Sequence, residues 1–96
     1  MQFSWDEAKN RANQRKHGIS FDEARAVFDA ADYLEVFDEA HSDEEDRFIA
    51  IGFTPRGVVV VVWAQSDDDW GRIISARMAT THEERLFESY VGTRDD

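Results

Sequence analysis

The chain has 96 residues, which is room for one small domain, so we expect residues 1–96 to form a single folded unit. It contains no cysteine, which excludes disulfides, thiolate catalysis and cysteine-bound zinc. Acidic residues number 21 against 11 Lys and Arg, a formal net charge of -10 that weighs against nucleic-acid binding and favours a basic protein partner. No apolar segment approaches the roughly 20 residues of a membrane helix, and no signal peptide is apparent, so we expect a cytoplasmic protein.

Two short helices are predicted at the start of the chain. Residues 4–7 have the spacing of a capping box, which predicts a helix running to about Lys16. Gly18 is a natural end for this helix, because glycine adopts the left-handed conformation without strain. Residues 20–23 repeat the capping-box spacing, so a second helix should follow.

Beyond Asp32 the apolar residues alternate with a period of two, which predicts strands. Four are expected: residues 33–37, 47–53, 58–63 and 70–77. The third begins with five consecutive valines, a composition typical of a central strand that is buried on both faces. Residues 81–84 form a third capping-box pattern and predict a final helix. The predicted fold class is α+β in the order α-α-β-β-β-β-α, with two N-terminal helices, a four-stranded antiparallel sheet and a C-terminal helix.

A polar stripe on the first predicted helix is one candidate site. Four polar residues at helical spacing share its face: Lys9, Asn13, Lys16 and His17. Together they offer cations, an amide and an imidazole, which suits a phosphate held beside a proton acceptor. The alternative is a solvated helix face whose basic end complements the helix dipole. The residues alone leave both interpretations open.

Two arginines in the last predicted strand are the second candidate. The segment from Arg72 to Arg77 is otherwise apolar or small, so each guanidinium either pairs with a carboxylate or faces an incoming anion. The two residues are five positions apart, and a regular strand would send them to opposite faces. Only a bulge or a strand end would bring them together. No glycine-rich phosphate loop, nucleophile elbow or zinc motif is present.

Several of these segments, taken together, resemble the BrnT-type toxins. The matching motifs occur in the same order along the chain: residues 3–10, Asn13, residues 16–24, residues 47–52, residues 72–77, Ala79, Thr80, Glu84, Arg85 and Tyr90. The resemblance implies a RelE-like fold and ribonuclease activity that inhibits translation. It also implies a cognate BrnA-type antitoxin with a DNA-binding region, which represses the operon together with the toxin.

The resemblance further implies metal-free RNA cleavage without a cofactor, in which the ribose 2′-hydroxyl attacks the adjacent phosphate. Such a reaction needs a base, cations for the extra phosphate charge and an acid for the leaving oxygen. The implied catalytic residues are His17 as acid or base and Arg72 and Arg77 as phosphate stabilisers. The implied substrate-binding residues are Lys9, Asn13 and Lys16, and no metal ligands are expected.

The sequence departs from the family pattern in two places. Relatives tend to carry Thr-Glu-Arg after the central strand, where this chain has Ala64-Gln65-Ser66, and they tend to carry Lys where this chain has Met78. Both differences remove cations close to the implied site. The alternative function is therefore a catalytically silent module that binds the antitoxin and contributes to operon autorepression.

Overall fold

A mixed five-stranded sheet forms the centre of this computed structural model, which describes the backbone of residues 1–94 and the side chains of residues 1–92. The elements in chain order are β1 (Gln2–Ser4), α1 (Glu7–His17), α2 (Phe21–Ala24), a 3₁₀ helix (Arg25–Asp29), β2 (Leu34–Phe37), a second 3₁₀ helix (Glu39–His41), β3 (Arg47–Thr54), β4 (Gly57–Gln65), β5 (Trp70–Met78) and α3 (Thr81–Arg94). The strand order across the sheet is β1-β5-β4-β3-β2.

The α+β class is confirmed, but the prediction of a four-stranded, wholly antiparallel sheet is wrong. Strands β2 to β5 pair antiparallel as neighbours in sequence, and a fifth strand, β1, pairs in parallel with β5. Only three residues of β1 take part, opposite residues 70–72. So short a segment shows no alternation of its own, and its pairing partner lies almost seventy residues away in the chain.

The first helix therefore begins later than predicted, because Ser4 belongs to β1 and Asp6 is the N-cap. The Oδ1 atom of Asp6 accepts hydrogen bonds from the backbone N–H groups of Ala8 and Lys9, at 2.8 and 3.1 Å. Asp and Ser are similarly good N-caps, so the local pattern could not rank them. Pairing of the preceding residues with β5 decides between the two.

The other helix boundaries follow their capping residues closely. Gly18 ends α1 in the left-handed conformation, with φ of 72°, as predicted. The capping box at Ser20 and Glu23 is also confirmed, although α2 is short and continues as the 3₁₀ helix. At α3 the reciprocal bonds join Thr80 to Glu83, so this capping box begins one residue before the predicted position. No helix in the described part of the chain is long and apolar enough to span a membrane.

Strand β4 lies in the middle of the sheet and contributes side chains to two separate hydrophobic cores, as its run of valines predicts. On one face, Val59 and Val61 are fully buried among residues of α2, the 3₁₀ helix, β3 and β5. We call this the helix-covered face. On the other face, Val58 and Val60 pack with Ile51 and with Phe87 of α3. Since α3 covers only that end and Val62 is partly exposed, we call this second side the open face.

Candidate functional site

A β-bulge in β5 places Arg72 and Arg77 on the same face of the sheet. Arg77 lies opposite Val60, and Arg72 lies opposite Ala64 on the same neighbouring strand. Val60 and Ala64 are four residues apart and share a face, and residues that oppose each other across a ladder point to the same side. The register shifts once between the two pairs, which leaves Ile74 as the extra residue. Both arginines therefore lie on the open face.

A third arginine on the open face was missed by the sequence analysis. Arg47 opens β3 and also lies opposite Ala64, so Arg47, Ala64 and Arg72 form one row across three strands. The Nε atom of Arg47 is buried and has no hydrogen-bond partner among the described side chains. The sequence offers the same signal for Arg47 as for Arg72, because each is an arginine in a predicted strand that is otherwise largely apolar. We call Arg47, Arg72 and Arg77 the arginine set.

Each of the two predicted arginines is paired with a carboxylate of the same chain. Arg77 donates from both terminal nitrogens to the carboxylate oxygens of Glu83, at 2.7 and 2.8 Å. Arg72 donates to Glu45. Of the two roles that the sequence left open, pairing with a carboxylate is the one that the structure contains. Both arginine side chains are nevertheless 42% exposed, so an incoming anion would reach them and compete with these carboxylates.

The pairing of Arg77 with Glu83 shifts the titration of both groups. Hydrogen bonding to the Arg77 guanidinium, assisted by the backbone N–H of Thr80, lowers the pKa of Glu83 to about 2. The same hydrogen bonds raise the pKa of Arg77. Glu83 is also the reciprocal capping residue of α3, so one carboxylate holds the arginine and fixes the start of the helix.

The acidic loop between β2 and β3 folds over the row that contains Arg47 and Arg72. This loop, residues 38–46, places Glu45 beside Arg72. It also forms one wall of a cleft of about 300 Å³. The lining residues of the cleft are Ala40, His41, Asp43, Glu44, Glu45 and Arg47. Carboxylates therefore stand close to two members of the arginine set, Arg47 and Arg72.

His17 lies on a different element from the arginine set. It is the last residue of α1 and is partly exposed. Among the described side chains, no hydrogen bond or ion pair joins it to Arg72 or Arg77. The structure thus brings two of the three predicted catalytic residues to one face and leaves the third at the end of a helix. Lys9 and Lys16, predicted to bind substrate, are exposed on α1.

Asn13, the remaining predicted substrate-binding residue, is turned into the protein and is only 8% exposed. Its Nδ2 group donates to the carbonyl oxygens of Ile19 and Ala76, at 3.0 and 2.8 Å. Its Oδ1 atom accepts from the backbone N–H of Ala76 at 3.2 Å. Because β1 pairs only with the first part of β5, this amide takes the place of a neighbouring strand at Ala76.

We expect Asn13→Ala to destabilise the fold by about 2–4 kcal/mol, because buried backbone groups of Ile19 and Ala76 lose their partners. Urea denaturation measures the change. The matched control is Gln14→Ala, which truncates the exposed neighbouring side chain in the same helix. A loss of stability no larger than that of the control would contradict the tethering role.

The Arg77–Glu83 pair should make the free energy of unfolding depend on pH under acidic conditions. The pKa of Glu83 is lowered from an ordinary 4.5 to about 2 in the folded protein, so its contribution is present above the ordinary value and is lost as pH falls toward the lower one. The stability advantage of the parent over Glu83→Gln should therefore be constant near neutral pH and decline between those two values. Chemical denaturation at a series of pH values measures it, with Glu84→Gln as control. An advantage that does not vary with pH would contradict the pairing.

The chain is similar to known proteins in both sequence and structure. A family model described as "Ribonuclease toxin, BrnT, of type II toxin-antitoxin system" matches residues 5–83. Among solved structures, the chain is similar to the 1.1 Å crystal structure of the Brucella abortus ribonuclease toxin BrnT, with 25% sequence identity and a TM-score of 0.62. That similarity covers 84% of this chain and 99% of the Brucella chain. No curated protein sequence matches the chain. The span of the family match contains the whole arginine set, Glu45, Glu83 and the polar stripe of α1.

Proposed function

The chain belongs to the BrnT family of ribonuclease toxins of type II toxin–antitoxin systems, and from this premise we propose that it is a metal-independent endoribonuclease that inhibits translation. The family implies an RNA target and an antitoxin partner. The observation that carries the proposal is the arginine set, which gathers three guanidinium groups on one sheet face of a protein whose net charge is -10. In the proposed system a BrnA-type antitoxin with a DNA-binding region neutralises the toxin and represses the operon with it.

The spacing of the arginines suits a short stretch of RNA. Arg72 and Arg77 are separated by four ladder positions, so their Cα atoms are about 13 Å apart at roughly 3.3 Å per residue. Between them lies a row of partly exposed small and apolar side chains, formed by Ile49, Val62 and Ser75. In the proposed complex, RNA lies across this row with an arginine at each side.

The proposed chemistry is attack of the ribose 2′-hydroxyl on the adjacent phosphate, which adds negative charge to the phosphate oxygens. Arg72 and Arg77 stabilise that charge once their carboxylates are displaced. Guanidinium groups suit this role, because they stay protonated and bind phosphate in a bidentate manner. The reaction also needs a proton acceptor for the 2′-hydroxyl and a donor for the leaving oxygen.

We assign the proton-transfer role to His17, supported by its position at the same end of the sheet as Arg77. The carbonyl oxygen of Gly18 accepts a hydrogen bond from Arg56, which lies in the β3–β4 turn, at 3.0 Å. Met78, which follows Arg77, packs beside Gly57 of the same turn. Substrate would then pass over the end of β5 between His17 and Arg77. Lys9 and Lys16 would attract RNA along α1, while Asn13 acts indirectly by fixing the helix.

Expression of the chain without an antitoxin should arrest growth, and His17→Ala and Arg77→Ala should each relieve the arrest. Loss of a positioned acid or base lowers the rate by about 10²–10⁴. The matched control is Arg25→Ala, which removes an exposed arginine from the 3₁₀ helix and should stay toxic. Circular dichroism checks that each variant is folded.

RNA cleavage by the purified parent gives the second readout of the same experiment. Cleavage should persist in EDTA and leave 2′,3′-cyclic phosphate ends. Folded His17 and Arg77 variants that arrest growth as strongly as the parent would overturn the site assignment. Cleavage that EDTA abolishes would overturn the metal-independent mechanism while leaving the toxin assignment intact.

The Glu45 carboxylate competes with phosphate for Arg72, so Glu45→Gln should bind RNA more tightly. A partly exposed ion pair is worth up to about 1 kcal/mol, which corresponds to roughly two- to fivefold in affinity. Fluorescence anisotropy with a non-cleavable 2′-O-methyl oligonucleotide measures the change. Glu39→Gln alters the charge of the same loop equally without touching the arginine set. Equal gains for the two variants would show that only the overall charge matters.

A second candidate function is a catalytically silent module that binds the antitoxin and contributes to autorepression. The observation that favours it is the carboxylate partner on each predicted phosphate-binding arginine. The departure at Met78 adds less than expected to this alternative, because Met78 lies opposite Val59 of the helix-covered face and a lysine there would be directed away from the face of Arg77. A folded chain that binds its antitoxin but neither arrests growth nor cleaves RNA would establish this alternative.

A further inference from the structure

A second cavity, on the helix-covered face, is lined mainly by aromatic side chains. Its volume is about 240 Å³, and its lining residues are Met1, Phe3, Phe28, Tyr33, Glu35 and Trp63. The rings of Phe3 and Phe28 stack with their centroids 4.2 Å apart, and Tyr33 and Trp63 each meet Phe28 edge-on. Trp63 belongs to the core of the helix-covered face, so this cavity is on the other side of the sheet from the arginine set.

Glu35 is the one acidic group in the aromatic cavity, and its charge is only partly compensated. Its Oε2 atom accepts a hydrogen bond from Nε1 of Trp63 at 3.0 Å, and Oε1 accepts no hydrogen bond from the described side chains. Burial raises the pKa of Glu35, and burial together with the Glu35 charge raises the pKa of Tyr33. None of the described residues lining the cavity is Lys, Arg or His. A cation that entered would therefore meet a carboxylate that has an unused oxygen.

The surroundings of the cavity are acidic as well. The backbone N–H of Gln2 donates to the carbonyl oxygen of Asp69 at 2.8 Å, which holds the loop of three consecutive aspartates beside β1. An RNA base would also pack against the rings, but its phosphates would be repelled by Glu35 and these aspartates. Charge complementarity thus favours a cationic occupant over a nucleotide.

We propose that this cavity binds an arginine side chain supplied by a basic segment of a partner protein. A guanidinium is planar and weakly hydrated, so it stacks against aromatic rings while its N–H groups pair with a carboxylate. The aromatic walls and the free Oε1 atom of Glu35 provide both contacts. The net charge of -10 favours a basic partner in general, and the cavity gives that attraction one specific position. The site does not depend on RNA cleavage.

The test is titration of the ¹⁵N-labelled full chain with Nα-acetyl-arginine amide, followed at the indole N–H signal of Trp63. The signal should shift in a saturable way, and the neutral isostere Nα-acetyl-citrulline amide should produce no saturable shift. Glu35→Gln keeps an acceptor for Trp63 but removes the charge, so it should weaken arginine binding by about tenfold. The matched control is Glu88→Gln, an exposed acidic residue of α3 outside the cavity, which should bind like the parent.

Three outcomes would overturn the proposal. One is an equal response of the parent to arginine and citrulline, a comparison that holds even if Glu35→Gln fails to fold. Another is equal weakening by Glu35→Gln and Glu88→Gln, which would mean general charge attraction. The third is saturation by a nucleoside monophosphate at lower concentration than by arginine, which would make the cavity a base-binding site.

Discussion

Burial of β4 on both faces is the constraint on which the rest of the structure depends. Its valines alternate between two hydrophobic cores, so the side chains in the middle of the sheet are apolar and packed. Charged side chains of the sheet therefore lie on neighbouring strands and at the ends of the sheet. The arginine set occupies β3 and β5 on the open face, and the aromatic cavity occupies one end of the helix-covered face.

The electrostatic environment of each site is set by the charges close to it rather than by the net charge of the chain. A net charge of -10 describes the molecule as a whole, yet three guanidinium groups share one face. Two of them are held by Glu45 and Glu83, so their positive charge is compensated within the chain. Glu35 has no such compensation, because none of the described residues lining its cavity is Lys, Arg or His. The ligands that we propose for the two sites are therefore of opposite charge.

The sequence predicted features that depend on neighbouring residues, such as the end of α1 at Gly18 and the capping box at residues 20–23. It also predicted the antiparallel strands, because their alternation and turns are local. It missed β1, which pairs with the distant strand β5, and it could not decide the face of Arg77, because the bulge exists only relative to β4. The partner of Arg72 lies 27 residues away, beyond any spacing rule.

The amide of Asn13 has a consequence for how molecules of this protein meet one another. Beyond β1, strand β5 would present unpaired backbone groups, and such an edge is a template for another strand. By bonding both the N–H and the carbonyl oxygen of Ala76, Asn13 occupies this template as a polypeptide would. Strand addition is thereby discouraged along the part of β5 that β1 does not cover, although β5 lies next to the edge of the sheet.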